Sequence, residues 1–571
     1  MITNKQAAAT TAPNEDAPLE NGEAVETPVQ RKRRAVDDTA IKWLAAVLVV
    51  AILVGTIATP DAAAGAIGTA RTFVTEYFTW FFVLFSVLAL AICAWLAFGR
   101  YGRVRLGGAG ARPDYSKFAW YSMLYACGQG IGLIFWSVAE PIMLKEESPL
   151  FTGVDAGVAQ DGSMAWSYFH WGLTAWAMYC IVAICLAYSH YNLGRKLTFR
   201  DAVVDFFPVK SRRSIGVVVE VLAILACVLG LATSFGFATL QFTFGLTSFT
   251  PITGGMPVWI AVVVVFAALT AVSVYFGISK GMKRISELNS ILSIVLVGAV
   301  LLFGPAVYLL SSVLQTFGVY FQNFLAMSLW SESDVAGAGM DSWQDSWNGW
   351  WTVFIWCWVI AFSAFVGPFI ARISRGRTIR EFVVGVTVIP SVIVMVWIGV
   401  LGGAAHFYDN ANDGAISGQI AESTESGLFA MLDFVPVVGT VLMVVSTVLV
   451  ATYYITSLDS GVHALSGFVA SAKSPSRWFR VLLVGAIASV TVALLVLGGV
   501  SVIGTVQTGT IIGAFPLAFI LIIMVLNFIK RLRSSATRTA PPAPPALDVS
   551  LDGKEPPAPE LVASDGGAHL N

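Results

Sequence analysis

Residues 371–382 read Ala-Arg-Ile-Ser-Arg-Gly-Arg-Thr-Ile-Arg-Glu-Phe, a hinge with four arginines set between apolar runs at 347–371 and 382–404. Each run reaches the roughly 20 residues that a helix needs to cross the hydrocarbon core of a bilayer. A short basic hinge between two such runs has the character of a cytoplasmic loop, because Lys and Arg accumulate on that side. Outward from this hinge, further apolar runs lie at 42–59, 72–98, 117–139, 164–189, 215–242, 256–276, 287–312, 433–457, 478–500 and 508–530. The pattern predicts an all-α membrane protein with twelve transmembrane helices. Alternating the sides then puts every Lys and Arg of the 34 except Arg71 and Lys145 on one side. A missed or extra span would scramble that asymmetry. Both termini are therefore expected to be cytoplasmic, in a bacterial-type cell (inner) membrane.

Composition agrees. Of 571 residues, 56% are hydrophobic and 12% charged, and the mean hydropathy is +0.75. A soluble domain carries about 25% charged residues. The net charge of -1 says nothing about nucleic acid, but the Lys and Arg residues are not gathered into a binding face, so no nucleic-acid partner is expected and membrane lipid is the expected surroundings. Six cysteines sit in apolar runs with no CxxC pair, and five histidines are scattered, so no disulfide framework or metal centre is expected. Residues 1–40 and 533–571 are polar, the latter rich in Ala and Pro, and both are expected to be disordered cytoplasmic tails around a body at 41–532. The N-terminal tail lacks the pattern of a cleavable signal. The outer loop at 313–346 is acidic, and 317–330 (FGVYFQNFLAMSLW) is expected to lie in the interface as an amphipathic helix.

Few residues carry chemistry. The third span contains Gly128, Gly130 and Gly132 around Gln129. Small residues of this kind either pack helices closely or mark an unwound stretch whose carbonyls meet a substrate or ion. Glu140 closes the same run, as an interfacial carboxylate or a functional one. The fourth span carries Trp171, Trp176 and Tyr179, and the eighth carries Trp356, Trp358, Phe362 and Phe365, the last three forming one helical stripe. Aromatics of this kind pack, face lipid, or form a cage for a quaternary ammonium, which donates no hydrogen bond and is held by ring faces. The tenth span holds Tyr453, Thr456, Ser457 and Asp459, whose oxygens suit a hard monovalent cation or a structural role. There is no nucleophile–base pair, no phosphate loop and no filter-like repeat, so neither an enzyme nor a channel is expected.

Taken together, these motifs resemble the betaine/choline/carnitine transporter family over about residues 41–532. The hinge at 371–382 matches the family's loop after span eight almost letter for letter. Phe169-His170-Trp171-Gly172, Gly277-Ile278-Ser279-Lys280-Gly281-Met282-Lys283 and Thr456-Ser457-Leu458-Asp459-Ser460 add further likeness in the same order. The resemblance implies leucine-transporter-like inverted five-helix repeats, about 117–312 and 347–530, joined by the helix at 317–330 and preceded by two extra helices. It implies a homotrimer that takes up a zwitterionic or quaternary-ammonium osmoprotectant with sodium or protons, or exchanges one betaine for another. The solute would be of the glycine betaine, choline, carnitine or ectoine type, with no cofactor beyond a coupling ion, sodium first. The family's cage falls on Trp171, Trp176, Tyr179 and the aromatic run with Trp356, Trp358 and Phe362. Val359 stands where the family has a Trp that closes the cage. One family sodium site falls on Ala126, Gln129, Tyr453, Thr456 and Ser457. The other uses two threonines that are Cys227 and Leu231 here, so at most one sodium is expected. The C-terminal tail, acidic and proline-rich, does not resemble the long basic helix with which some members sense osmotic stress.

Overall fold

The computed structural model describes residues 19–20, 23–24, 28–128, 130–277, 279–333, 345–469, 475–499 and 502–538. The chain through Ile529 forms one compact unit, and Lys530–Asn571 a second, which holds the last turns of the final helix.

Helices α1 (Pro28–Ala58) and α2 (Pro60–Phe98) lead into α3 (Lys117–Gly128), α4 (Ile131–Glu147), α5 (Ala156–Trp171), α6 (Leu173–Tyr191) and the short α7 (Phe199–Val203). Then come α8 (Arg212–Phe249), α9 (Met256–Phe276), α10 (Ser279–Phe303) and α11 (Ala306–Leu329). The second half runs through α12 (Trp347–Trp350), α13 (Thr352–Arg372), α14 (Ile379–Ala411), α15 (Ala415–Glu422) and α16 (Gly427–Asp433) to α17 (Gly439–Val469), α18 (Arg477–Gly498) and α19 (Val502–Arg538).

Among the described residues, eleven helical stretches are long and apolar enough to cross a membrane, two of them made of successive helices, α5 with α6 across Gly172 and α12 with α13 across Trp351. The twelfth predicted span, 117–139, is the one missing from that count. It is split into α3 and α4, of 12 and 17 residues, on either side of the Gly128–Gly130 stretch. The expected boundaries shift elsewhere. α1 begins at Pro28, and a two-residue strand pair joins Leu19–Glu20 to Glu23–Ala24, inside the segment expected to be disordered. α19 continues to Arg538, past the expected end at 532. The interfacial segment is longer than its amphipathic core suggested: the chain breaks at Gly304-Pro305 rather than near 312, and α11 runs unbroken to Leu329. Pro305 has no N–H to continue the α10 ladder, which accounts for the break.

The hinge at 371–382 is held by the loop between α2 and α3. Leu106 N–H donates to Arg377 O at 3.0 Å, Gly376 N–H to Leu106 O at 3.0 Å and Ile379 N–H to Val104 O at 2.8 Å. Gly376 adopts φ +77°, and a Cβ there would lie 2.2 Å from the Arg112 carbonyl carbon. Only glycine fits that turn. Thr378 caps α14 by accepting from Glu381 N–H, and the Thr-x-x-Glu spacing is that of a capping box. At the same end of the bundle, Arg34 of α1 pairs bidentately with Asp201 of α7 at 2.9 and 3.0 Å. Burial pushes the Asp201 carboxyl up, but Arg34 outweighs it and holds the group down at about 2.

Helices α13, α6, α8, α4 and α14 pack against one another at the centre. α9 and α10 turn apolar side chains such as Val264, Leu269, Ile291 and Ile294 outward. Such an exposed apolar belt is stable only against lipid tails.

Candidate functional site

The central helices enclose a cavity of about 990 Å³. Its deep wall is aromatic. Trp171 at the end of α5, Trp176 and Tyr179 on α6, and Trp358 and Phe362 on α13 all line it. Trp171 and Trp358 meet edge to face, with ring centroids 5.7 Å apart and planes at 78°. Trp358 also stacks on Phe354 at 5.4 Å and meets Phe362 edge-on at 6.0 Å, while Trp176 meets Tyr179 at 5.5 Å. The Trp358 indole N–H donates to Ser234 Oγ on α8 at 3.0 Å, which fixes the plane of the ring.

The glycines of the broken span divide by role. A Cβ on Gly132 would lie 2.6 Å from Trp358 Cη2 and 3.0 Å from Trp171 Cη2. That residue makes room for the ring pair. Gly130 lines the cavity, and a Cβ there would meet nothing within 4 Å. Gly128 ends α3. Gln129 lies outside the described residues, and for Ala126 only its place in α3 is described.

Trp356 does not belong to this wall. Two residues along a helix is a rotation of about 200°, so Trp356 and Trp358 face opposite ways. Trp356 is fully buried against Phe169 and His170, with centroids at 5.5 and 5.8 Å.

The residue that sequence reasoning left between two roles is Glu140. It is fully buried. Oε2 accepts from the Trp171 indole N–H at 2.6 Å, and Oε1 accepts from His170 Nδ1 at 2.7 Å. His170 Nε2 in turn lies 3.0 Å from Thr352 Oγ1 at the start of α13. One carboxylate thus ties α4, α5 and α13 together directly behind the ring wall. The interfacial reading of Glu140 is corrected by this arrangement. Its signal in the sequence was a carboxylate at the end of an apolar run, with no local hint of partners some 30 residues away.

Toward the basic loops the wall becomes polar. Tyr453, Thr456 and Ser457 on α17 line the cavity, together with Asn289 on α10. Tyr453 and Ser293 share a hydroxyl–hydroxyl bond of 3.1 Å, and Asn289 Nδ2 donates to Thr456 Oγ1 at 3.2 Å. Asp459 accepts from Ser273 of α9 at 3.0 Å, so this carboxylate has a helix-joining bond as well as a place in the cavity wall. Lys196, Thr198 and Arg372 also line the cavity, on the side where the basic loops lie. The positions expected to lack a second cation site are filled tightly. Cys227 and Leu231 are buried, and a Cβ on Gly461 would lie 2.6 Å from Leu231 Cδ1.

Comparison with known proteins places the chain. Residues 40–537 match the family model described as betaine/carnitine/choline family transporter. A glycine betaine transporter of Acinetobacter baylyi is 33% identical over 503 residues, covering 87% of this chain and 74% of that one. Glycine betaine transporter 1 of Vibrio parahaemolyticus is 36% identical over 469 residues, covering 80% and 86%. The high-affinity choline transport protein of Escherichia coli is 32% identical over 499 residues, covering 86% and 72%. A many-helix apolar bundle, an aromatic-walled cavity and a match across nearly all of the described helices agree: this multi-pass membrane protein belongs to the betaine/carnitine/choline family of transporters.

Proposed function

We propose that this protein takes up a small quaternary-ammonium or zwitterionic solute of the glycine betaine, choline, carnitine or ectoine type, driven by sodium through alternating access. The aromatic wall of Trp171, Trp176, Tyr179, Trp358 and Phe362 carries the reading. A trimethylammonium group has no N–H to offer, so its recognition rests on ring faces, each contributing about 0.5–2 kcal/mol. Relatives named as glycine betaine and choline transporters support the same class of solute. The cavity extends to Lys196 and Arg372 of the basic loops, and the positive-inside rule makes that the cytoplasmic side, so the conformation reads as inward-facing. On the opposite side the Glu140–His170–Thr352 bonds and the buried rings of Trp166 and Trp347 close the bundle.

The test is uptake into proteoliposomes of a panel of compatible solutes, with and without external sodium and with an imposed potential. Sodium-dependent uptake of at least one quaternary-ammonium solute is expected, with one sodium moved per solute. A single charge across 100 mV contributes about 2.3 kcal/mol, about fiftyfold accumulation. Uptake indifferent to sodium would replace the coupled reading by exchange or proton coupling. Two sodium ions per solute would overturn the single-site reading drawn from Cys227 and Leu231.

Val359 lines the cavity beside Trp358. Val359→Trp adds a ring to the wall and is expected to lower the apparent KM for glycine betaine by about 2- to 30-fold, from the same 0.5–2 kcal/mol. Competition by choline and ectoine on the same variant reads whether the gain follows cationic character. An unchanged KM in a well-folded variant would count against a cage at that place.

A further inference from the structure

We infer that Asn289 on α10 supplies a side-chain oxygen ligand to the transported cation, opposite the hydroxyls of Thr456 and Ser457 on α17. The inference rests on the sodium-coupled reading above and adds to it a residue from a third segment of the fold.

The direction of the amide follows from its partner. The Thr456 hydroxyl gives its proton to Thr452 O at 3.0 Å, so its oxygen accepts from Asn289 Nδ2 at 3.2 Å. That leaves Asn289 Oδ1 as the free end of the amide. Asn289 is only 3% exposed, it lines the cavity, and its Oδ1 has no hydrogen-bond donor. A buried carbonyl oxygen without a donor is destabilising unless a ligand completes it. Neutral carbonyl and hydroxyl oxygens are the ligands that a hard monovalent cation takes.

The surroundings favour a cation over a donor group of the solute. Asp459, one turn along α17 from Thr456, is the sole carboxylate among the described residues that line the cavity. It contributes negative potential to this part of the wall, shared with His463 one turn further on, whose Nδ1 lies 3.4 Å from Asp459 Oδ2. A trimethylammonium head has no N–H with which to satisfy Oδ1, and the aromatic wall that suits that head lies on α5, α6 and α13. The amide also holds the cation's two helices in register, since its nitrogen end is already bound to α17. Filling the site would draw α10 and α17 together through one side chain.

The experiment compares purified wild type, Asn289→Ala and Asn289→Asp. It reads sodium-induced thermal stabilisation in detergent without solute, and the sodium dependence of uptake in proteoliposomes. For Asn289→Ala, half-saturation by sodium is expected to rise at least tenfold in both readouts, with solute affinity at saturating sodium within about threefold of wild type. Asn289→Asp keeps an oxygen and loses the nitrogen donor. It is expected to stay within about threefold of wild type for sodium and to change the preference for sodium over lithium. Equal losses in the two variants would make Asn289 a helix tie only and overturn the inference. So would an unaltered sodium response in Asn289→Ala. If the alanine variant does not fold, Asn289→Ser takes its place, since its shorter side chain withdraws the oxygen. A wild type with no sodium response in either readout would overturn the coupled reading itself, and the inference with it.

Discussion

Gly132→Ala is expected to abolish most solute binding while leaving a folded, membrane-inserted protein. The added methyl would sit 2.6 Å from Trp358 and 3.0 Å from Trp171, closer than carbon atoms approach. Neither ring has an easy retreat. Trp171 is tethered through its indole N–H to Glu140, and Trp358 through its own to Ser234. Overpacking of this kind costs about 1–3 kcal/mol, which corresponds to a 5- to 150-fold rise in solute Kd if the displaced rings are the binding wall. Gly130→Ala, two residues earlier, meets nothing within 4 Å and has an extended backbone that any residue adopts. Its Kd is expected within about twofold of wild type. Tryptophan fluorescence titration of the two variants reads the contrast directly. Equal, small effects would show that the ring pair is not where the solute binds.

Glu140→Ala is expected to have the largest effect on stability of any single change at the site. It removes the acceptor of two buried donors, the Trp171 indole N–H and His170 Nδ1–H. Each buried donor left unpaired costs about 1–3 kcal/mol. A fall in thermal midpoint with a solute affinity at least tenfold weaker is expected, because Trp171 loses the bond that sets its angle. Glu140→Gln keeps one carbonyl oxygen as acceptor and should fall between alanine and wild type. A Glu140→Ala variant that melts and binds like wild type would rule out the carboxylate as the support of the ring wall.

Charge and apolar length made the architecture legible without coordinates. The basic hinge at 371–382 and the distribution of the other Lys and Arg marked the loops, and the family likeness supplied the repeats. Five of the six aromatic residues expected in the cage line the cavity. The sixth, Trp356, comes with the aromatic run that the family likeness implies, although the helical rotation between 356 and 358 excludes a shared face. Glu140 and Asn289 were harder to read for a different reason. Their meaning lies in partners 30 and 167 residues away, Glu140 with His170 and Asn289 with Thr456. No local pattern encodes a pairing over that distance. Helix ends moved for physical reasons of their own: Pro305 cut the seventh span early.

The interruption of the third span also constrains how the protein is made. Half-helices of 12 and 17 residues measure about 18 and 26 Å at 1.5 Å per residue. Neither covers a hydrocarbon core of about 30 Å. The helix ladder is interrupted at Gly130, whose backbone is extended, and lipid offers no partner for groups freed there. Such a segment cannot rest in the bilayer alone while the ribosome is still synthesising the rest of the chain. It is expected to wait at the translocon, or in a provisional straight form, until α8 and α14, which pack on α4 in the folded chain, have been made. Biogenesis of the solute pathway is thereby expected to be a late event, completed only after α14 has been translated. Truncated chains ending before α14 should therefore insert their first two helices stably and leave the third open to proteolysis.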